Sequence, residues 1–476
     1  MQNDLKMYLN KNFWNIQNSF YPKSNLYKCH FLGYEKMKTG SIKKFFKKPS
    51  PIRLAILAMV VGIGGGIASV IFHMTIDALT FFFFRSPSSE PFMETIVALP
   101  WYLKLLIPAL GGFLVGLIIT KFRIPEIKGH GVPEVMDAIE SKKGNLNMKV
   151  APLTFLTSSI TIASGGSAGK EGPIVQIGSS IGSSIARFFN LDTQKKKLFL
   201  VAGAAAGIGG TFNAPLAGVI FGLEVLLRKI RLSYLPILLI ASFAGTLFAN
   251  IVLGFPEPMF SMASFSFFGY YEVFFWILLG ITAIIISFIY IKSLYSVETL
   301  FEKIKIPYLF KPVLGGLLLG VVAFFIPYVY GPSNYIFIEE MLTGLISLEL
   351  IILIIAAKII ATSLTLGSGA TGGIFAPSLF MGTALGMGYG LLLQKIFPAI
   401  VSSPASYAAI GIGAVFAAAA HAPLTASIII IEMSGNPAMV IPVVITCFTA
   451  GYIAKNTQKT NIYTEKIRRK KKGKSD

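Results

Sequence analysis

Charge is what this 476-residue chain has least of. Only 13% of its residues are Asp, Glu, Lys or Arg, about half the share of a soluble globular protein, which excludes a water-solvated surface over most of its length. Acids are scarcer still, 22 against 42 Lys and Arg. The two cysteines, Cys29 and Cys447, are too few and too far apart for a disulfide framework. The four histidines show no metal-ligand spacing, so neither a metal nor a cofactor is expected. The first thirty residues lack the apolar core of a cleaved export signal. No polar linker divides the chain into soluble modules.

What the chain has in quantity is apolar sequence, 54% by composition with a mean hydropathy of +0.69. A hydrocarbon core of roughly 30 Å takes about 20 helical residues to cross. Uncharged runs of that order recur at 54–76, 105–120, 232–254, 273–291, 313–330, 359–394, 396–431 and 437–454. Several are too long, or too broken by Gly and Pro, for one clean crossing. The expectation is an all-α polytopic membrane protein.

The net charge of +20 gathers at the ends. Residues 1–53 hold eleven Lys and Arg against two acids, and 455–476 hold nine against two. Positive flanks beside membrane spans face the cytoplasm, so both termini are expected there and the number of crossings is expected to be even. "IRRKKKGK" is then a topology anchor rather than a nucleic-acid patch. On this division, 1–50 is a basic cytoplasmic extension, 51–455 the membrane domain, and 456–476 a helix end with a basic tail too short for another domain.

The membrane domain looks duplicated. Setting "GAAAGIGGTFNAPLAGVIFGLE" (203–224) over "GIGAVFAAAAHAPLTASIIIIE" (411–432) matches Gly203, Ala206, Ala214, Pro215, Leu216, Ile220 and Glu224 with Gly411, Ala414, Ala422, Pro423, Leu424, Ile428 and Glu432. An earlier pair in the same order, "GPIVQIGSSIG" (172–182) over "APSLFMGTALG" (376–386), aligns Pro173, Gly178 and Gly182 with Pro377, Gly382 and Gly386. The halves run over about 51–254 and 271–455. Duplicated halves in a membrane protein point to a transporter or related channel, with its site where broken helices of the two halves meet.

"GSAGKEGP" (166–173) and "GGIFAP" (372–377) have the character of such breaks. Glycines permit irregular backbone at membrane depth, and a proline then sits in the first turn of the following helix. Each half thus aims a helix N-terminus into the protein, where free N–H groups and the positive dipole end favour an anion. Glu171 lies at the mouth of that site. A carboxylate there can occupy the anion's place and vacate it when protonated, which makes it a candidate gate; capping the helix N-terminus is the alternative role.

Three motifs in order, "GHGVPE" (129–134), "GKEGP" (169–173) and "GGIFAP" (372–377), with "FNAPLAG" (212–218) and Tyr463 in "NIYTEKIRRK", resemble those of the CLC family of chloride channels and chloride/proton antiporters. The resemblance covers about 50–470 and is closest to prokaryotic members that lack a C-terminal CBS domain. It implies an inverted-repeat fold of tilted and re-entrant helices and a homodimer with one anion pathway per subunit. The expected setting is a bacterial inner membrane, and the partners are chloride (with bromide or nitrate as further permeants), protons and lipid. By position, Glu171 resembles the gating glutamate. Gly172, Ile374 and Phe375 resemble residues whose backbone N–H groups face the anion, His130 and Gly131 occupy the first anion-binding loop, and Tyr463 resembles the tyrosine that donates its hydroxyl to the central anion.

Two positions depart from the pattern. His130 stands where many members have serine, and Val225 where proton-coupled members often carry an inner glutamate. Proton-coupled exchange is still the first expectation, a passive voltage- or pH-gated channel the alternative that Val225 raises, and a fluoride exporter a more distant one, since Pro133 and Pro173 are kept. An intramembrane Ser/His protease built on "GGSA" (165–168) and His421 is disfavoured because His421 aligns with Asn213 in the duplicated packing motif, so no enzyme activity is expected. "GIGGGIAS" (62–69) lies in an apolar run and suits close helix packing rather than nucleotide binding. Lys358 and Glu432, isolated charges in apolar surroundings, are expected to be structural or snorkelling groups.

Overall fold

Apolar segments that cannot bond to water must bond their own backbone, and these runs become helices. The computed structural model describes residues 50–86, 92–254, 260, 269–343 and 346–472. The chain divides after Ser50, and every helix below belongs to the part that follows. The extension over 1–50, with Cys29, lies outside the described residues apart from Ser50.

The first half contains α1 (Pro51–Phe84), α2 (Phe92–Ala98), α3 (Trp101–Phe122), α4 (Val132–Glu140), α5 (Val150–Ala163), α6 (Glu171–Phe188), α7 (Thr193–Phe212), α8 (Pro215–Phe221) and α9 (Leu235–Leu253). The second contains α10 (Val273–Lys303), α11 (Lys311–Phe325), α12 (Asn334–Thr343), α13 (Leu348–Gly367), α14 (Phe375–Ile396), α15 (Pro404–Gly411), α16 (Ala414–Ala420), α17 (Pro423–Ser434) and α18 (Val440–Thr457). A final helix, α19 (Ile462–Lys472), closes the chain. Among the described residues, eight helices are long and apolar enough to cross a membrane. At 1.5 Å per residue, the 34 residues of α1 reach about 51 Å, which a bilayer accommodates only with strong tilt.

The long runs at 359–394 and 396–431 are not single spans. The first divides into α13, a glycine loop and α14; the second becomes the end of α14 and the short helices α15, α16 and α17. Periodicity could not reveal these breaks, since all the pieces are apolar on every side. Burial separates them: 78% of the α14 window is enclosed by protein, against 33% for Tyr270–Lys303. The helix that carries "GGIFAP" is interior, and α10 faces outward over most of its surface.

Small residues set the packing, and the same contacts occur twice. A Cβ on Gly178 would overlap the Gly203 carbonyl, and one on Gly203 the Gly178 carbonyl; Gly382 and Gly411 repeat the pair. Gly182 rests on the Phe199 carbonyl as Gly386 rests on that of Tyr407. Contacts between the halves are reciprocal. Gly112 lies on the Pro312 carbonyl and Gly316 on the Pro108 carbonyl, so α3 and α11 pack as an exchanged pair. Asn213 and His421, aligned in the duplication, both end a helix in the left-handed conformation at φ 52° and 53°. His421 is thus a backbone cap, which accounts for it without a protease.

The isolated charges are structural. Lys358 is fully buried and donates to the carbonyls of Val329 (3.0 Å) and Tyr328 (3.4 Å), with its ammonium 4.4 Å from the Phe380 ring centroid. It is too enclosed to snorkel. Glu432 accepts from the amides of Leu216 (3.0 Å) and Ala217 (2.7 Å) at the start of α8. Its counterpart Glu224 accepts from Leu424 N (3.2 Å), Thr425 N (2.7 Å) and Thr425 Oγ1 (2.7 Å) at the start of α17. Each half supplies the helix cap of the other.

A candidate anion site

Three glycine loops meet inside the membrane domain, and backbone hydrogen bonds tie them together. Gly169 N donates to Gly373 O (2.9 Å) and Gly373 N to Gly169 O (2.7 Å), an antiparallel bridge between residues 204 positions apart. That spacing is the one that superposes Gly178 on Gly382, so the bridge joins equivalent residues and a local two-fold passes between them. Gly372 N donates to Gly129 O (3.1 Å) and Thr371 Oγ1 to Ile127 O (2.8 Å), which brings in the "GHGVPE" loop. Gly129 (φ +81°) and Gly131 (φ +75°) make the turn into α4; there a side chain would be strained.

From this knot two long interior helices depart, α6 beginning at Glu171 and α14 at Phe375. Pro173 and Pro377 occupy the third position of each, where an N–H has no partner within the helix. Gly172 has no room for a side chain, because its Cβ would collide with the His130 carbonyl and lie 3.1 Å from Gly373 Cα. Backbone from all three loops thus closes on one point.

The Glu171 side chain lies at that point. One carboxylate oxygen accepts from the amide of Phe375, the first residue of α14. The other is buried with no hydrogen-bond partner. The carboxylate therefore lies at a helix N-terminus whose free N–H groups and positive dipole end favour a negative charge. The capping alternative describes the same bond, made across the halves to the start of α14. The Phe375 ring is clamped edge-on by Phe416 (centroids 4.6 Å apart, 86°) and Phe212 (5.6 Å, 62°), which fixes the amide that Glu171 uses.

His130 and Tyr463 lie side by side, ring centroids 5.9 Å apart, and are 3% and 1% exposed. His130 Nε2 is 3.3 Å from the Tyr295 hydroxyl, and its Nδ1 is buried without a partner. Gly131, Gly172, Ile374, Phe375, Glu171, His130 and Tyr463, scattered over more than three hundred positions, belong to one neighbourhood. Val225 is 4% exposed on the wide turn Gly222–Leu226 that extends α8, one residue beyond the capping Glu224.

Other residues here had escaped sequence reasoning. Tyr290 and Tyr335, like the expected Tyr463, lie within electrostatic reach of the Glu171 carboxylate. The hydroxyls of Tyr290 and Tyr335 are buried without partners. Unpaired buried donors are costly. No local motif marks Tyr290 or Tyr335; Tyr290 sits in the apolar run of α10, with Tyr295 just beyond it after Lys292. The "PE" of the first motif supplies Glu134, 5% exposed, whose Oε1 is 3.7 Å from Lys466 Nζ.

The family model for voltage gated chloride channels matches residues 111–455. A protein of Ralstonia nicotianae named "Putative chloride channel protein ClcB-like" is 30% identical over 417 residues, 87% of this chain and 96% of that one. The "H(+)/Cl(-) exchange transporter ClcA" of Yersinia pestis is 31% identical over 412 residues, 85% of each chain. Among solved structures, a slow cyanobacterial Cl-/H+ antiporter superposes with a TM-score of 0.78 at 26% identity, covering 89% of this chain and 99% of its own. A CLC-type fluoride/proton antiporter shares the fold at a TM-score of 0.72 and 21% identity, over 87% of this chain and 98% of its own. The chain is an integral membrane protein and belongs to the voltage-gated chloride channel family, the CLC channels and antiporters.

Proposed function

We propose that this protein exchanges chloride-like anions for protons across a membrane, with Glu171 as the protonatable gate. The observation that carries this is the Glu171 carboxylate on the Phe375 amide at the α14 N-terminus. Deprotonated, it competes with an anion for the same donor; protonated, it loses the charge that holds it there, and the site opens. Gate and proton carrier are then one group, which is how a single carboxylate links the two fluxes. Gly131, Gly172, Ile374, Phe375, His130 and Tyr463 form the anion's path. Weak binding by backbone dipoles, without a full cationic charge, lets the ion leave again.

The antiporter reading is supported by the relative named as an H(+)/Cl(-) exchange transporter and by the 26% identical antiporter structure. Chloride is the expected substrate, with bromide and nitrate as further permeants. The protein acts as a homodimer, each subunit holding a whole pathway, since one chain supplies both helix ends. The setting is a bacterial inner membrane with the basic termini on the cytoplasmic side. Val225 favours a second reading, passive conduction, because an apolar residue stands where an acid would pass protons on.

The deciding measurement is proton uptake into proteoliposomes driven by a chloride gradient. Wild-type protein takes up protons; Glu171→Gln retains anion flux, loses its steep dependence on external pH and moves no protons. Chloride flux without any proton movement in the wild type would leave the passive channel as the function. Unchanged pH dependence in Glu171→Gln would remove the gate.

A further inference from the structure

With Val225 in place of an acid, protons arriving from the cytoplasm need another carrier, and two buried polar atoms of the first motif are unpartnered: His130 Nδ1 on the loop and Glu134 Oε2 at the start of α4. The hydrogen bonds around His130 fix its tautomer. The Tyr295 hydroxyl gives its proton to the Ile462 carbonyl, so toward His130 it can only accept. His130 Nε2, 3.3 Å away, must therefore carry the hydrogen and donate. That leaves Nδ1 as a bare lone pair, enclosed by protein and bonded to nothing. A neutral imidazole in this state offers no donor at Nδ1; it offers a base.

Glu134 stands four residues on, in the first turn of α4. Its Oε1 faces Lys466 Nζ at 3.7 Å, and Lys466 also donates to Lys128 O (3.1 Å) and acts electrostatically on His130. Below it, a cavity of about 210 Å³ is lined by Glu134, Asp137, Lys142, Lys466 and Lys470 among others, large enough for several waters. Glu298 on α10 faces the Lys466 charge, while Glu465 on α19 is paired with Arg468 and Arg469; the other cations close by are Lys128, Lys142, Lys470 and Arg469, the last 4.9 Å from the Tyr295 ring centroid. A buried base, a nearly buried acid and a charged cavity with room for water thus follow one another from His130 outward.

We propose that His130 is the inner proton carrier of this protein, loaded from the cytoplasmic side through Glu134. A proton from water in the cavity adds to the Glu134 carboxylate and passes to His130 Nδ1, giving an imidazolium with both ring N–H bonds. Release of that same proton toward the Glu171 carboxylate restores the neutral Nε2–H tautomer. Loading has a second effect: the new Nδ1–H is a charged donor beside Tyr463, in the place where a serine hydroxyl would serve the anion. Proton and anion then favour each other's binding at this position instead of competing, as they do at Glu171.

This inference rests on the exchange reading above, and the test separates the two. The ratio of proton uptake to chloride efflux is measured in proteoliposomes for the wild type, His130→Ser and Glu134→Gln. Serine restores a hydroxyl donor for the anion but carries no proton; glutamine keeps the shape of Glu134 and removes its acid. Both variants are expected to lower the ratio at least roughly tenfold, the effect of removing one protonatable group from a proton route, while chloride efflux stays measurable. Efflux itself reports a folded protein, and each variant tests the route by itself if the other fails to assemble. A wild-type ratio in either variant overturns the relay while leaving exchange in place. A wild type that moves no protons overturns both.

Discussion

The exchanged caps of α8 and α17 make a quantitative claim about stability. Removing the Glu432 side chain strips two backbone amides of a charged acceptor, those of Leu216 and Ala217 at 3.0 and 2.7 Å. Removing Glu224 strips Leu424 N, Thr425 N and Thr425 Oγ1. Hydrogen bonds to a charged group contribute about 1.5–3 kcal/mol each, but both carboxylates are only partly buried, and water replaces some of the loss. Glu432→Ala should therefore cost about 2–4 kcal/mol and Glu224→Ala about 3–5 kcal/mol. The glutamine variants keep one oxygen acceptor and should lose roughly half as much. Because both caps close the same α8–α17 contact, the double alanine variant should lose less than the sum. Thermal unfolding of the purified protein in detergent, followed by gel filtration, reads all five. Wild-type melting of Glu432→Ala, or a glutamine variant that melts below its alanine counterpart, would refute the reasoning.

Gly182→Ala drives a methyl group into the Phe199 carbonyl and should cost about 1–3 kcal/mol through overpacking. Gly388→Ala, whose new Cβ meets only the Ile351 and Leu348 side-chain ends at 3.2 Å or more, should leave melting near that of the wild type. Equal melting of the two variants would count against the packing role of Gly182. If each chain of the proposed homodimer holds a whole pathway, covalently linked dimers with Glu171→Gln in one subunit should keep about half of the proton uptake; complete loss would show that the pathways depend on each other.

Much of the architecture was written in positions that tolerate few residues. Glycines at the three loops and prolines in the first turns after them mark where backbone must approach backbone, and they are legible because no other residue fits. The duplication was visible for the same reason, since Gly178, Gly182 and Gly203 and their counterparts hold the same contacts. Glu171 stood out because a carboxylate is rare at membrane depth. Tyr290, Tyr295 and Tyr335 did not, because an aromatic in an apolar helix looks the same whether it faces lipid or a buried polar group. The cap exchange lay hidden as well: Glu224 and Glu432 aligned with each other, but each bonds the half it does not belong to, and local sequence holds no record of that. Lys466 came to notice only when α19 folded against the first loop, 338 positions from Lys128.

The same exchange of caps imposes an order on synthesis. Leu216 is made 216 residues before the Glu432 carboxylate that will accept its amide hydrogen. At about 5–20 residues per second, the ribosome takes roughly 10–40 s to cover that distance. For that time the first half sits in the bilayer with a bare helix end, and its own Glu224 waits, equally unused, for the start of α17. Neither half reaches its final form first; both caps close together, when the chain has reached α17.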